Sequence, residues 1–195
     1  VQDASYEGAK KAIQTSMDKL GLDYIDLYLL HWPVTNFADA WRTLMKYYEK
    51  GALRAIGVSN FQIRHLQKLE AEGLALPAVN QIELHPSFQQ HELKAYCEER
   101  NIRIEAWSPL GGSDFLLIDR PEIQKIAKKH GKTGAQIIIR WHLDTGNIVI
   151  PKSVKQHRIV ENAQVFDFHL DAEDLAEIAA MDTNKRSYWS PDRWD

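Results

Sequence analysis

The chain has 195 residues, 44% of them hydrophobic and 26% charged, which is the composition of one globular domain with a sizeable core. A formal net charge of -3 and a sequence pI of about 6.3 exclude the strongly basic character that nucleic acid or an anionic membrane selects, and no apolar run approaches the roughly 20 residues of a membrane span. The one cysteine, Cys97, cannot form an intrachain disulfide, so a cytoplasmic location is expected.

Residues 5–20 are expected to be helical, because Ala9, Ala12, Ile13, Ser16, Met17 and Leu20 form one apolar-to-small stripe at helical spacing. Ser5 suits the start of that helix and Gly21 its end. Residues 24–31 read as a strand in which Ile25, Leu27, Leu29 and His31 share one face by period two, and Pro33 ends the run. A histidine at the carboxyl tip of a buried strand is where α/β sheets and barrels keep their chemistry. Its plainer alternative is a core histidine satisfied by a backbone carbonyl.

Helix 38–50 carries Trp41, Leu44, Met45 and Tyr48 on one side. Strand 55–58 ends in Ser59-Asn60, helix 62–72 stops at Gly73, and strand 78–83 ends before His85-Pro86. Helix 89–99 follows, and then strand 102–107, which ends in Ser108-Pro109-Leu110-Gly111-Gly112. Helix 121–130 opens with a proline suited to its first turn. The next helix opens with the capping box Thr133-Gly134-Ala135-Gln136 and carries His142 on its apolar face, where it reads as a packed, hydrogen-bonded histidine. Strand 147–150 ends in Pro151-Lys152-Ser153. Helix 155–162 follows, and another starts at Asp171, with Leu170 and Leu175 as a hydrophobic staple. The tail from Asn184 to Asp195 reads as irregular and holds Tyr188, Trp189 and Trp194.

Strictly alternating strands and helices imply a parallel sheet with right-handed crossovers. Each strand ends in residues able to do specific work: His31, Ser59-Asn60, Gln81, Trp107-Ser108 and Lys152-Ser153. In a barrel such tips face one mouth, although a (β/α)8 barrel needs eight strands and typically about 250 residues.

Taken together, Leu29-Leu30-His31-Trp32-Pro33, Ile56-Gly57-Val58-Ser59-Asn60-Phe61, Asn80-Gln81-Ile82-Glu83-Leu84-His85-Pro86 and Ile150-Pro151-Lys152-Ser153-Val154 resemble the successive signatures of the aldo-keto reductases. Trp107-Ser108-Pro109-Leu110-Gly111 is similar to the bacterial and yeast branch that includes the 2,5-diketo-gluconate reductases. The resemblance covers the whole chain. It implies a (β/α)8 TIM barrel of which residues 1–195 form a single domain holding strands 4 to 8, their helices and the tail, with about three strand–helix units before Val1. It also implies NADPH-dependent reduction of an aldehyde or ketone to an alcohol, by a tyrosine acid working with an aspartate, a lysine and a histidine. His31 matches that histidine. A neutral imidazole can hydrogen-bond the reacting carbonyl oxygen, fixing the acceptor carbon and stabilising charge that develops on oxygen. Asp3, Tyr6, Lys10 and Lys11 lie at no matching motif. Residues 1–195 alone are therefore expected not to complete the proton transfer.

The resemblance extends to the cofactor. Ser59, Asn60 and Gln81 match residues that hydrogen-bond the nicotinamide carboxamide, a group that both donates and accepts. Trp107 matches the aromatic stacked on the nicotinamide, and Ser108 and Leu110 match positions near the pyrophosphate, which Gly111-Gly112 would let approach closely. Lys152, Ser153, Val154 and Arg158 match the 2′-phosphate pocket, where cations and a hydroxyl suit a dianion. Glu161 and Asn162 match adenine-side contacts. Plainer readings are a helix cap for Asn60, a core ring for Trp107 and a solvated basic helix start for Lys152 and Arg158. Trp32 and Trp189 are candidates for a substrate mouth. His91-Glu92 does not continue to a second histidine, since position 95 is alanine, and no metal is expected. The expected partner is a small carbonyl compound, with no nucleic acid or membrane and a monomer when complete. The alternatives are a nucleotide-binding, non-catalytic relative and an inactive truncated fragment.

Overall fold

A computed structural model describes residues 6–112 and 117–194, so Ser5 and Asp3 lie outside the described residues. The elements alternate: α1 (Tyr6–Leu20), β1 (Tyr28–Leu30), α2 (Phe37–Glu49), β2 (Ile56–Ser59), α3 (Ile63–Ala71), β3 (Val79–Glu83), α4 (His91–Glu98) and β4 (Arg103–Trp107). Two successive helices, α5 (Pro121–His130) and α6 (Gly134–Asp144), precede β5 (Ile148–Val149), α7 (Gln156–Ala163) and α8 (Ala172–Ala179). A five-stranded sheet runs β1-β2-β3-β4-β5 in chain order, and β1 with β2, β2 with β3, and β4 with β5 pair in parallel. This is the sheet that strict alternation predicts.

The chain forms two compact units: Val1–Gln81 with Leu93–Arg103 and Ser190–Asp195, and Ile82–Glu92 with Ile104–Trp189.

In the first unit the helical stripes reach the core at Ile13, Trp41, Leu44, Leu66 and Leu69, each at most 1% exposed. Trp41 still satisfies its indole by donating Nε1–H to the carbonyl of Ala75 at 2.8 Å. Leu20 and Tyr48, expected on those stripes, are exposed, because each falls in the last turn of its helix. β2 is buried at all four positions. A Cβ on Gly57 would lie 2.6 Å from Leu29 Cδ2 and 2.7 Å from the carbonyl oxygen of Val79, so the close approach of three strands demands glycine there. Phe37, Phe61 and His65 form an edge-to-face cluster at the start of α3. His65 Nδ1 accepts the Gln62 backbone N–H at 2.9 Å, which closes a capping box.

The second unit packs Leu84, Ile123, Ile126, Ile137 and Ile138 at no more than 1% exposure. Both capping motifs form as expected: Thr133 accepts from Gln136 N, and Asp171 from Asp174 N. Leu170 is buried and Leu175 half-buried beside that second cap. His142 is fully buried, with Nε2 at 3.2 Å from the Pro109 carbonyl, as a packed histidine should be. By contrast, α7 has no buried residue.

Helix bounds differ from expectation by a residue or two at each end, but two strands are shorter than their sequence patterns. Of the expected strand 24–31 only Tyr28–Leu30 pairs as a strand, and Ile25 makes a single bridge to Leu53. β1 stands at an end of the sheet order and is half-buried throughout, not buried, so one ladder has to hold it. β5 keeps two residues of the expected four. Pro151 follows Ile150 and has no N–H to continue the ladder.

Candidate active site

In the first unit, register builds the site. Leu30 pairs with Val58, and Ser59 pairs with Gln81. One step past Leu30 and Val58, the tips of β1, β2 and β3 therefore present His31, Ser59 and Gln81 at one level. Hydrogen bonds lock this row. Ser59 Oγ donates to the Gln81 carbonyl at 3.0 Å, and the Asn60 N–H donates to the same oxygen at 2.8 Å. Asn60 Nδ2 then donates to the His31 carbonyl at 3.2 Å and to Ser59 Oγ at 3.1 Å. Asn60 adopts a left-handed backbone with φ of 64°, which asparagine tolerates better than most residues. Ser59 and Asn60 are buried, and Gln81 is half-buried.

His31 itself is exposed, which corrects its expected place on a buried strand. Partial desolvation nonetheless holds its pKa below the ordinary histidine value. The ring is therefore mostly neutral at pH 7 and keeps one N–H to donate. The half-buried Trp32 ring lies 6.0 Å from the His31 ring, centroid to centroid.

In the second unit the turn after β4 is shaped from two sides. The Gly111 N–H closes it onto the Ser108 carbonyl at 2.9 Å, with Ser108 at φ 48°, and His142 holds the Pro109 carbonyl. Trp107 and Leu110 are half-buried. The Tyr188 ring meets Trp107 edge-on at 5.2 Å. A Cβ on Gly112 would lie 2.6 Å from the Tyr188 hydroxyl oxygen. Trp189 is 65% exposed.

After β5, Lys152, Val154 and Arg158 are exposed and Ser153 is half-buried. Ser153 Oγ accepts the Lys155 N–H at 3.1 Å, helping to start α7. Among the described residues no carboxylate pairs with Lys152 or Arg158, so both cations are open to a ligand. Glu161 Oε1 accepts from Thr133 Oγ1 at 2.8 Å and is thereby tied to the cap of α6. Asn162 is half-buried beside it in α7. No group of three or more His, Cys, Asp or Glu side chains among the described residues is placed to hold a metal ion.

A polar cluster in the second unit has no counterpart in the sequence reading. Glu83 and His85 are fully buried. Glu83 Oε1 accepts the Ser187 N–H at 2.6 Å and lies 3.3 Å from His85 Nε2. The signal was period two: Glu83 follows Gln81 on one face of β3.

The chain matches the Aldo/keto reductase family over residues 1–183. It is 47% identical over 192 residues to the glyoxal reductase of Bacillus subtilis (strain 168), covering 98% of this chain and 69% of the relative. It is 48% identical over 188 residues to the methylglyoxal reductase DkgA of Salmonella typhimurium, covering 95% of this chain and 68% of the relative. Among solved structures, a Gox0644 mutant in complex with NADPH superposes with a TM-score of 0.94 at 42% identity, over 98% of this chain and 72% of that one. The ordered tips, the parallel sheet and these matches agree: the chain belongs to the aldo/keto reductase family.

Proposed function

We propose that this protein reduces small 2-oxoaldehydes of the glyoxal and methylglyoxal type to hydroxy products, with NADPH as the reductant. The relatives named glyoxal and methylglyoxal reductase and the NADPH complex of a solved neighbour support this over a non-catalytic nucleotide binder or an inactive fragment. The observation that carries it is the locked row of His31, Ser59 and Gln81 at three parallel strand tips.

The residues present fit the cofactor. Ser59, Asn60 and Gln81 offer a hydroxyl and two amides to the carboxamide, a group that both donates and accepts. Trp107 offers a ring face for nicotinamide, and Ser108, Leu110 and the backbone through Gly112 border the pyrophosphate. Lys152 and Arg158, which no carboxylate pairs among the described residues, suit the 2′-phosphate dianion with Ser153 donating. Val154, 87% exposed, has no core to fill and is free to meet a ligand. Glu161 and Asn162 take the adenine side. Bound NADPH supplies the hydride. His31 donates from its neutral ring to the carbonyl oxygen, which orients the acceptor carbon and stabilises the charge that grows on oxygen. Trp32 and Trp189 border the substrate. The proton that completes the alcohol is assigned to none of the residues matched here.

We further propose a cytoplasmic monomer without nucleic-acid partners, on the strength of its single cysteine and mild net charge. No helix among the described residues is long and apolar enough to cross a membrane.

The test is the intact protein's kcat/KM for methylglyoxal with NADPH and with NADH. A marked preference for NADPH is expected. Equal use of both cofactors, or no reduction, contradicts the reading.

A further inference from the structure

The tail is fastened far more firmly than an irregular C-terminal segment requires. Its attachment begins at β3, at the fully buried carboxylate of Glu83. Oε1 takes the Ser187 backbone N–H at 2.6 Å. The second oxygen, Oε2, lies 3.9 Å from the Arg186 guanidinium. His85 joins the two partners, with Nε2 at 3.3 Å from Glu83 Oε1 and 3.1 Å from Ser187 Oγ. Ser87 Oγ holds the other ring nitrogen at 3.0 Å, and Arg186 stacks over the Phe88 ring at 4.8 Å. A carboxylate held this deep is costly unless hydrogen-bonded. Oε1 is satisfied by the Ser187 N–H of the tail and faces His85, while Oε2 has no hydrogen-bond partner among the described residues and only the Arg186 charge beside it.

The residue after Ser187 is Tyr188, whose ring lies edge-on against Trp107 at 5.2 Å and whose hydroxyl occupies the space a side chain at Gly112 would need. One buried anchor thus fixes the backbone position from which Tyr188 reaches the turn following β4. We infer that Glu83, supported by His85, is a positioning residue for Trp107, acting through Ser187 and Tyr188. This role rests on the reading of Trp107 as the nicotinamide platform: the latch would set the orientation of that ring before the cofactor arrives.

The experiment is a double-mutant cycle in the intact protein, with Glu83→Ala, Tyr188→Ala and the pair together. Two quantities are read: the indole N–H resonance of Trp107 without nucleotide, and NADPH affinity by fluorescence titration. Each single change should move the Trp107 resonance and weaken NADPH by roughly two- to ten-fold, the worth of one aromatic contact. The pair should be little worse than either alone, because both remove the same support. Glu83→Gln keeps an acceptor for the Ser187 N–H and should restore most of the wild-type resonance. If Glu83→Ala unfolds the protein, Ser187→Pro deletes the same donor from the tail side and should give the same shift. An unmoved Trp107 resonance, or effects that add in full, overturns the latch. If the wild type fails to bind NADPH, the cofactor reading fails, while the nucleotide-free resonance still decides the latch.

Discussion

Asn60 hands its side-chain amide to the backbone of His31: Nδ2 lies 3.2 Å from the His31 carbonyl oxygen, across the gap between two strand tips. The same amide reaches Ser59 Oγ at 3.1 Å. The residue proposed to grip the carboxamide therefore also fixes the strand end that carries the proposed oxyanion donor.

Asn60→Ala removes both bonds and places a Cβ residue with no polar compensation at φ 64°. The loss should be about 1–3 kcal/mol of unfolding free energy. Asn60→Gly relieves the backbone but not the bonds, and should fall between wild type and Asn60→Ala. Urea unfolding measures all three, and an alanine variant as stable as wild type would remove the structural part of this role.

Arg158→Ala should weaken NADPH by roughly 1.5–3 kcal/mol and leave NADH nearly unchanged, since only NADPH carries the 2′-phosphate. Arg158 is exposed in a helix with no buried residue, so the fold should not suffer. Paired titrations with the two cofactors decide it, and equal weakening of both would count against the assignment.

Gly57→Ala should destabilise by about 1–3 kcal/mol, the usual cost of overpacking. The added methyl would meet the Val79 carbonyl at 2.7 Å, a backbone atom that cannot rotate away. A thermal midpoint unchanged from wild type would show that β1, β2 and β3 are not so tightly drawn together.

Asp144 predicts an acid limb to the stability. Burial raises its pKa, but hydrogen bonds from Arg140, the Leu170 N–H and His169 outweigh this and hold it at about 2. A depressed carboxylate contributes stability above its unfolded pKa and loses it as the pH falls through the folded value. The contribution is therefore complete at pH 7 and declines from about pH 4 toward pH 2. Asp144→Asn should cost on the order of 2 kcal/mol at pH 7, and the gap to wild type should narrow over that acid window. A gap that stays constant from pH 7 down to pH 2 would contradict the sign.

Local chemistry made much of this fold legible. Thr133 and Asp171 announce their helices because a cap is written within four residues. The strand tips are legible because Pro33 and Pro151 stop their ladders close to the residues that matter. What stayed hidden depends on distant partners. The length of β1 is set by having β2 as its partner in the sheet, not by its own alternation of Ile25, Leu27 and Leu29. Glu83, His85 and Ser187 meet across 102 positions between the last two, a separation no local pattern encodes. The exposure of His31 likewise follows from where β1 sits in the sheet.

The measurement closest to the central claim is NADPH oxidation by the intact protein with methylglyoxal, run beside His31→Ala. An oxyanion-type donor is worth roughly 2.7–4 kcal/mol of transition-state stabilisation. His31→Ala should therefore lower kcat by about 100- to 1,000-fold while NADPH affinity stays within a few-fold of wild type. Full carbonyl-reducing activity in His31→Ala would remove His31 from the catalytic machinery and contradict the account.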